Sequence, residues 1–385
     1  MQGIIVFPPP KPRTPPRQST QTGDGYSLWM NAVGGPILNL RQWTPQVAEL
    51  FMETRIKRVS IEEEWAEPTI DALLPWASTI EEMQLRSEAL VDASSLAAFP
   101  MLRVLRAAAR CELIPFARLG VLRTCVIAGG TSLGSVHDAP ALEDVTLSQM
   151  KRVRLEPLSS LVSLRRFTLI GTSTAVQLDG LADLSLEAVT LRQVARLGSL
   201  GPLKKMPLRT LEISNAPSAQ DIETIASITS IETLRLENAG KPGTLDFVTT
   251  LSAMQEFYFT DRRPTAFEVS VKPLLACKVL RGLTLSGENS GLRNLSGIEV
   301  IGELTDLTHL RLQDGPKEIA SIGWMQSLQK LEYFYLLGIH IGDGDLKPLL
   351  ELPQLRDVFV SPVRKNYSHD AASFHAAMHS KVNQP

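Results

Sequence analysis

The sequence predicts an α/β solenoid with a parallel β-sheet on its concave side and short helical, 3₁₀ or irregular segments on its convex side. The main observation is a change of step in the apolar pattern, from three residues to two, within residues 346–360 (LKPLLELPQLRDVFV). A step of three suits a tight helical turn with one buried edge, whereas a step of two is the alternation of a half-buried strand. The second observation is that the same change recurs along the chain, for example over residues 222–236.

Fourteen copies of the strand pattern apolar-x-x-apolar-x-apolar lie between residues 56 and 362, at intervals of 20 to 27 residues. One unit cannot bury its apolar side alone, so neighbouring units must stack and share an elongated core. We therefore predict fourteen parallel strands, which at roughly 4.8 Å per strand make a sheet on the order of 60 Å long. The copies begin at Ile56, Ile80, Leu102, Leu122, Leu142, Leu164, Leu186, Leu208, Ile231, Met254, Leu280, Leu307, Leu331 and Leu355.

Each predicted strand places two apolar residues on the same face, because strand side chains alternate. The first column of predicted core residues is Val59, Met83, Leu105, Cys125, Val145, Phe167, Val189, Leu211, Leu234, Phe257, Leu283, Leu310, Phe334 and Val358. The second column is Ile61, Leu85, Ala107, Ile127, Leu147, Leu169, Leu191, Ile213, Leu236, Phe259, Leu285, Leu312, Leu336 and Val360.

These units resemble the leucine-rich-repeat family, whose repeats of about 20 to 29 residues carry L-x-x-L-x-L followed by Asn or Cys. The common interval of 22 to 24 residues and the L-x-x-L-x-x-L lead-in are most similar to the internalin-type class. The resemblance implies a leucine-rich-repeat horseshoe over residues 56–362. One departure is that the Asn expected three residues after the last core position is missing from every unit. In the family that Asn satisfies backbone groups of the loop leaving the strand, so the resemblance does not predict these loops.

Three shorter segments complete the predicted domain organisation. Residues 1–25 are rich in Pro, Thr, Gln and Gly and are predicted to be a flexible tail. Within them, residues 12–17 match P-x-x-P-x-R, which is either a polyproline ligand or part of a solvated tail. Residues 26–55 are predicted to cap the open core with a short helix that starts at Thr44 and Pro45. Residues 363–385 are predicted to be a C-terminal tail with a short helix.

Charge and cysteine content limit the compartment and the partners. The net charge is −2 and the pI is about 6.3, so the chain has no field that would attract nucleic acid or an anionic membrane. The three cysteines form no C-x-x-C, and Cys125 falls on a core column, which favours a reducing compartment. The apolar residues 3–7 are too short for a signal peptide. We therefore expect a cytoplasmic protein that is a monomer or weak oligomer.

The concave side of the C-terminal third concentrates aromatic and basic residues. Exposed aromatic rings have no core to fill, and Tyr and Arg are the residues most enriched at binding hot spots. We therefore predict a protein-binding surface there, close to the longest inserts. The alternatives are large β-formers that stiffen the strands, or a tail that folds over them. The predicted binding residues are Arg235, Tyr258, Arg262, Arg263, His309, Arg311, Tyr333, Tyr335, Asp357 and Phe359.

The sequence contains no recognisable catalytic or cofactor motif. His309 has Gly282 and Tyr333 as predicted lateral neighbours, so no Ser or Cys stands beside it to be activated. Glycine-rich phosphate loops are missing as well. His375 and His379 are spaced i, i+4, as a helical metal pair would be, but they lack an accompanying Glu and lie near the chain end. We predict no catalytic residue, no metal site and no cofactor.

These observations predict a non-enzymatic scaffold for protein–protein interaction that binds a protein on its concave C-terminal face. Such a binder can act by occlusion, as an inhibitor or immunity protein. An alternative is an adaptor or secreted effector that also uses the proline-rich tail. A further alternative is a hydrolase or metal-dependent enzyme, which would depend on His309 or on the pair His375 and His379.

Overall fold

The structure of the protein, a computed structural model, describes residues 4–6, 19–31, 35–108, 113–129, 135–262, 269–287 and 292–382. The chain divides into two compact units. One unit comprises residues 13–196, and the other comprises residues 197–385 together with residues 1–12.

The described strands run in chain order as follows. They are β1 (Ile4–Val6), β2 (Ser19–Gly23), β3 (Tyr26–Asn31), β4 (Gly35–Leu40), β5 (Arg58–Ile61), β6 (Glu82–Leu85), β7 (Val104–Ala108), β8 (Thr124–Ala128), β9 (Asp144–Ser148), β10 (Arg166–Val176), β11 (Ala188–Leu197), β12 (Thr210–Ala216), β13 (Thr233–Ala239), β14 (Glu256–Thr260), β15 (Val269–Ser270), β16 (Gly282–Ser286), β17 (Leu295–Ser296), β18 (His309–Gln313), β19 (Glu318–Ile319), β20 (Tyr333–Leu337), β21 (His340–Ile341) and β22 (Asp357–Ser361).

Helical segments alternate with the main strands. The α-helices are α1 (Pro45–Glu53), α2 (Lys347–Glu351) and α3 (Ala371–Val382). Within the described ranges, no helix combines the length and the apolar character needed to span a membrane. The lead-in of apolar residues three apart forms 3₁₀ helices, since three residues make one turn of that helix. These are Asp71–Trp76, Ser94–Ala98, Phe116–Arg118, Val136–Asp138, Glu156–Ser160, Asp179–Leu181, Gly201–Lys205, Ile222–Ser227, Asp246–Thr250, Lys272–Ala276, Ile298–Glu303 and Gly323–Ser327.

All fourteen predicted strands are present, as β5 to β14, β16, β18, β20 and β22. In residues 13–196, β4 to β10 pair in parallel and in register. In the other unit, β12, β13, β14, β16, β18, β20 and β22 do the same. Every residue of the two predicted core columns is buried, with at most 8% of its surface exposed. The predicted α/β solenoid with a parallel sheet is therefore confirmed.

The N-terminal segments differ from the predicted flexible tail. Strands β2, β3 and β4 form an antiparallel meander, and β4 continues into the parallel sheet through β5. Strand β1 pairs antiparallel with β22. Both β1 and β2 lie within residues 1–25, so the prediction of a tail is wrong for these two stretches. Main-chain hydrogen bonding to a neighbouring strand orders a segment even where its own apolar pattern is weak. The P-x-x-P-x-R segment at residues 12–17 lies outside the described residues.

Helix α1 begins where the sequence predicts. The backbone of Thr44 is extended, and its Oγ1 accepts a hydrogen bond from the amide of Val47 at 3.4 Å. Pro45 occupies the first helical position, where its missing N–H costs nothing. The apolar side of the helix is buried through Val47, Leu50 and Phe51.

The loops that leave the strands show what replaces the missing Asn. In eight of the described repeats, the backbone turns into the left-handed region two residues after the last core position, with φ between 48° and 74°. The amide of this residue still donates to the next strand, as Gly129 N does to Ser148 O at 2.7 Å. Residues with this conformation are Gly129, Gln149, Gly171, Gln193, Asn215, Asn238, Asp314 and Gly338.

Candidate protein-binding surface

The parallel register of the C-terminal unit brings most of the predicted binding residues together. Each strand places one residue between its two core positions and one just before them, and both point away from the core. We call these two rows the C-terminal face. The row between the core positions is Arg235, Tyr258, Thr284, Arg311, Tyr335 and Phe359. The row before them is Thr233, Glu256, Gly282, His309, Tyr333 and Asp357.

Exposure separates the predicted residues into groups. His309 is exposed, and so are the predicted arginines Arg235, Arg262 and Arg311. The aromatic residues are half-buried. The half-buried rings are those of Tyr258, Tyr333, Tyr335 and Phe359. Arg263 lies outside the described residues.

The sequence predicts Asp357 as an exposed binding residue, but the structure shows it to be buried, with only 7% of its surface exposed. The hydroxyl of Tyr335 donates to its Oδ2 at 2.8 Å. Its strand, β22, is paired on both edges, by β20 and by β1. The other carboxylate oxygen, Oδ1, is buried and has no hydrogen-bond partner among the described residues. Asp357 therefore supports the aromatic ring beside it and offers little surface of its own.

The rings of the C-terminal face stack across neighbouring strands. His309 and Tyr333 are nearly parallel, with ring centroids 4.3 Å apart and an interplanar angle of 14°. Tyr335 and Phe359 stack at 6.1 Å and 25°. Such cross-strand aromatic pairs add stability beyond the area they bury and restrict the rotation of each ring. The face therefore presents rings that are already held in place, which lowers the entropic cost of binding.

Two tyrosines of the face donate their hydroxyl protons to carboxylates. Tyr258 donates to Glu256 Oε2 at 3.2 Å, in the same way as Tyr335 donates to Asp357. Burial raises the pKa of Tyr335 to about 12, helped by the hydrogen bond to Asp357 and by the negative charge there. Burial and the negative charge of Glu256 likewise raise the pKa of Tyr258. With their protons committed, both phenolic oxygens present lone pairs to solvent.

We expect Tyr335 to ionise near pH 12, and we expect Asp357→Asn to lower its pKa. The folded pKa lies above the ordinary value of 10.0, so the folded chain holds this proton more tightly than the unfolded chain does. The resulting stabilisation is complete below about pH 10 and is lost as the pH rises toward 12. The measurement is tyrosinate absorbance at 295 nm, as the difference between wild type and Tyr335→Phe. An Asp357→Asn titration identical to wild type would contradict the assignment.

The predicted arginines are largely engaged within the protein. Arg235 lies between Glu212 at 3.8 Å and Glu237 at 3.3 Å, with its guanidinium 5.4 Å from the centre of the Tyr258 ring. Arg262 reaches the other oxygen of Glu237 at 3.8 Å. Sequence reasoning missed both glutamates, although the lateral register of the strands places Glu212 beside Arg235. The end of the face at β13 is thus electrically balanced.

A hollow of about 370 Å³ opens in the middle of the face. It lies over Gly282, between Glu256 and Tyr258 on one side and His309 and Tyr333 on the other. A Cβ at Gly282 would overlap the carboxylate of Glu256, so that carboxylate lies across the glycine. The strand pattern predicts Gly282 only as a neighbour of His309, and it does not single out Glu256. The signal was a glycine in a strand row where the neighbouring strands carry long side chains.

His309 is held by its neighbours, and the two cysteines that the structure describes are buried. His309 Nδ1 lies 2.8 Å from the hydroxyl of Thr308, and its ring is stacked on Tyr333. Burial raises the pKa of the Cys125 thiol to about 12 and that of Cys277 to about 11, so neither thiol is a ready nucleophile. Cys111 lies outside the described residues.

Only one side chain of the predicted histidine pair on α3 lies in the described part of the structure. His375 is exposed on that helix, and the side chain of His379 lies outside the described part. Among the side chains that the structure does describe, no three His, Cys, Asp or Glu residues are grouped as metal ligands would be.

Comparison with solved structures identifies the fold. An internalin of Listeria monocytogenes aligns with 74% of this chain and 80% of its own length, at a TM-score of 0.55 and 17% identity. A leucine-rich-repeat protein of Leptospira interrogans aligns with 76% of this chain and 81% of its own length, at a TM-score of 0.56 and 16% identity. No protein-family model and no curated protein matches the sequence. The fold is that of the leucine-rich-repeat proteins, as the repeat pattern predicts.

Proposed function

We propose that this leucine-rich-repeat chain is a non-enzymatic scaffold that binds a protein partner on its C-terminal face. The observation that carries the proposal is the set of pre-positioned, half-buried rings on that face. Rings on the open side of a sheet add nothing to the core, and a partner that covers them would bury aromatic area at low entropic cost. Rigid tyrosines beside arginines are the side-chain composition of binding hot spots.

Within this proposal the chain acts by occlusion, as an inhibitor or immunity protein that blocks the surface of its partner. The C-terminal face supports this role because it offers contact groups, while the described residues form no catalytic arrangement. We place the protein in the cytoplasm, as a monomer or weak oligomer, and the free buried thiols of Cys125 and Cys277 support a reducing compartment.

We expect Tyr258→Ala and Tyr333→Ala each to weaken partner binding by about 2 kcal/mol, or roughly 30-fold in Kd, because each removes a pre-positioned ring. Both variants should remain folded, with the free energy of unfolding lowered by no more than about 1.5 kcal/mol, the upper end for the loss of an aromatic pair. The partner is first captured from cell extract with wild-type protein and identified by mass spectrometry. Its Kd for each variant is then measured by calorimetry.

Thr168→Ala is the matched control, since Thr168 occupies the corresponding position, between the two core residues, on β10 of the other unit. It should bind the partner with unchanged affinity. Tyr335→Ala is unsuitable as a simple test because it would leave the buried carboxylate of Asp357 without its donor, which costs stability. Wild-type affinity in both Tyr258→Ala and Tyr333→Ala would show that the partner binds elsewhere.

The adaptor alternative rests on the P-x-x-P-x-R motif at residues 12–17. Replacing Pro12 and Pro15 by alanine should leave an occluding inhibitor fully active, because its contact surface is elsewhere. An adaptor would lose capture of a second protein in the same experiment, while its binding through Tyr258 stayed intact.

A further inference from the structure

We infer that the hollow over Gly282 receives a basic side chain, arginine or lysine, from the partner. This inference rests on the proposed function, because it names the chemistry of the group that the C-terminal face binds. Three features of the hollow support it: a carboxylate held across the glycine, a second carboxylate that is buried and only half satisfied, and aromatic rings on either side.

The first feature depends on Gly282 having no side chain. Strand β16 passes between β14 and β18, so any larger residue at Gly282 would fill the space that the Glu256 carboxylate occupies. The hydroxyl of Tyr258 donates to Glu256 Oε2 and fixes that oxygen at the rim of the hollow. The glycine therefore has a steric reason to stand in this strand, although glycine weakens a strand interior.

The second feature is uncompensated negative charge. Among the described residues, neither Glu256 nor Asp357 has a basic group within ion-pair distance. Elsewhere in the same unit carboxylates are paired, as Asp306 is with Lys330 at 2.6 Å and Glu237 is with Arg235 at 3.3 Å. The burial of Asp357 shields its charge from solvent screening, so its field acts strongly on a group entering the hollow.

Arg311 is the one arginine or lysine among the described residues that line the hollow, and its guanidinium is directed away from these acids. The Nε of Arg311 donates to Gln313 Oε1 at 3.2 Å, and a second guanidinium nitrogen contacts the same oxygen. Counting His309 as neutral, the lining groups carry one excess negative charge. An incoming anion would be repelled by the two carboxylates. An incoming cation would balance the excess negative charge.

The third feature is the aromatic lining. A guanidinium or ammonium group is attracted to the face of a tyrosine ring, and most strongly where water is excluded. Tyr258 and the stacked pair His309 and Tyr333 flank the hollow. Because the hydroxyl protons of Tyr258 and Tyr335 are donated to carboxylates, their oxygens are free to accept from the N–H groups of a cation. Cation–π contact and carboxylate pairing then act on the same group.

The test is an NMR titration of the full chain with its tyrosines selectively labelled with ¹³C. The chain has five tyrosines, so their aromatic signals can be assigned one by one. The probe is the peptide Ac-Gly-Arg-Gly-NH₂, and signals are assigned by single Tyr→Phe variants. We expect the signals of Tyr258 and Tyr333 to shift saturably. The isosteric peptide with neutral citrulline in place of arginine should bind at least tenfold more weakly. Equal binding of the two peptides, or stronger binding of Ac-Gly-Glu-Gly-NH₂, would overturn the inference.

Four variants locate the effect. Gly282→Ala should weaken the arginine peptide at least fivefold by displacing the Glu256 carboxylate, and Glu256→Gln should do so by removing the charge. Gly243→Ala is the matched control, because no heavy atom lies within 4 Å of a Cβ added there. Arg311→Gln should bind the peptide as well as wild type or better. Wild-type affinity in both Gly282→Ala and Glu256→Gln would show that the hollow is not the receptor.

The outcomes also separate this inference from the proposed function. If Tyr258→Ala releases the partner while Glu256→Gln and Gly282→Ala retain it, the face binds a protein but the hollow does not take its basic residue. If partner affinity is unchanged in all of these variants, both proposals are wrong. Glu256→Gln keeps the size and shape of the side chain, so the variant should fold. It therefore gives an answer even if Gly282→Ala folds poorly.

Discussion

Replacing Leu310 by alanine is expected to lower the free energy of unfolding by about 2 to 5 kcal/mol. Leu310 is 1% exposed on β18, and its lateral neighbours on the core side of the sheet are Leu283 and Phe334. Removing its side chain leaves a cavity between two residues that are themselves held in register by main-chain hydrogen bonds, so the site cannot collapse easily. Urea unfolding followed by circular dichroism measures the change.

Arg311→Ala is the control for Leu310→Ala, because it changes the next residue of the same strand on the opposite side of the sheet. Arg311 is exposed, so its replacement should alter the free energy of unfolding by no more than about 0.5 kcal/mol. Equal losses in the two variants would mean that the two sides of the sheet are not divided into core and open face as described.

Replacing Gly180 by alanine is expected to cost about 3 kcal/mol or more. Gly180 is buried in the 3₁₀ helix Asp179–Leu181, and a Cβ added there would overlap the backbone carbonyl of Leu155 and the amide of Glu156. Backbone atoms cannot rotate aside as the end of a long side chain can, so the two repeat units must move apart. Urea unfolding again measures the cost.

Gly120→Ala provides the comparison within the same unit, since a Cβ at Gly120 would have no heavy atom within 4 Å. We expect it to be neutral or stabilising by up to about 1 kcal/mol, because alanine restricts the unfolded chain. If Gly180→Ala is as stable as Gly120→Ala, the close packing of consecutive 3₁₀ segments is wrong.

The repeat solenoid could be predicted because two periods in one sequence determine both the strand and the turn before it. Core residues such as Leu310 and Phe334 follow directly from that alternation, and all residues of the two core columns are buried. Strand β2 (STQTG) could not be found in this way, because it has no apolar alternation. Its order comes from antiparallel pairing with β3, which a pattern search along the chain does not detect.

The candidate site could be predicted in part. The aromatic residues of the C-terminal face could be assigned to their rows, because each row follows from strand periodicity alone. What each of them contacts depends on the register between strands 20 or more residues apart, so the bonding of Tyr335 to Asp357 was missed. The burial of Asp357 was missed for the same reason. Glu256 was missed because its role depends on the absence of a side chain on the adjacent strand.

The main-chain hydrogen bonds at the ends of the strands also explain how repeats of unequal length share one sheet. The amides of Asp261 and Gly287 still donate to the next strand, at 3.0 and 2.8 Å, although the two longest intervals contain these positions. The length of the loop after each of these bonds is thus decoupled from the alignment of the strands. An engineer could exchange these loops for foreign sequences, and natural variation could do likewise, reshaping the rim while the underlying platform stays the same.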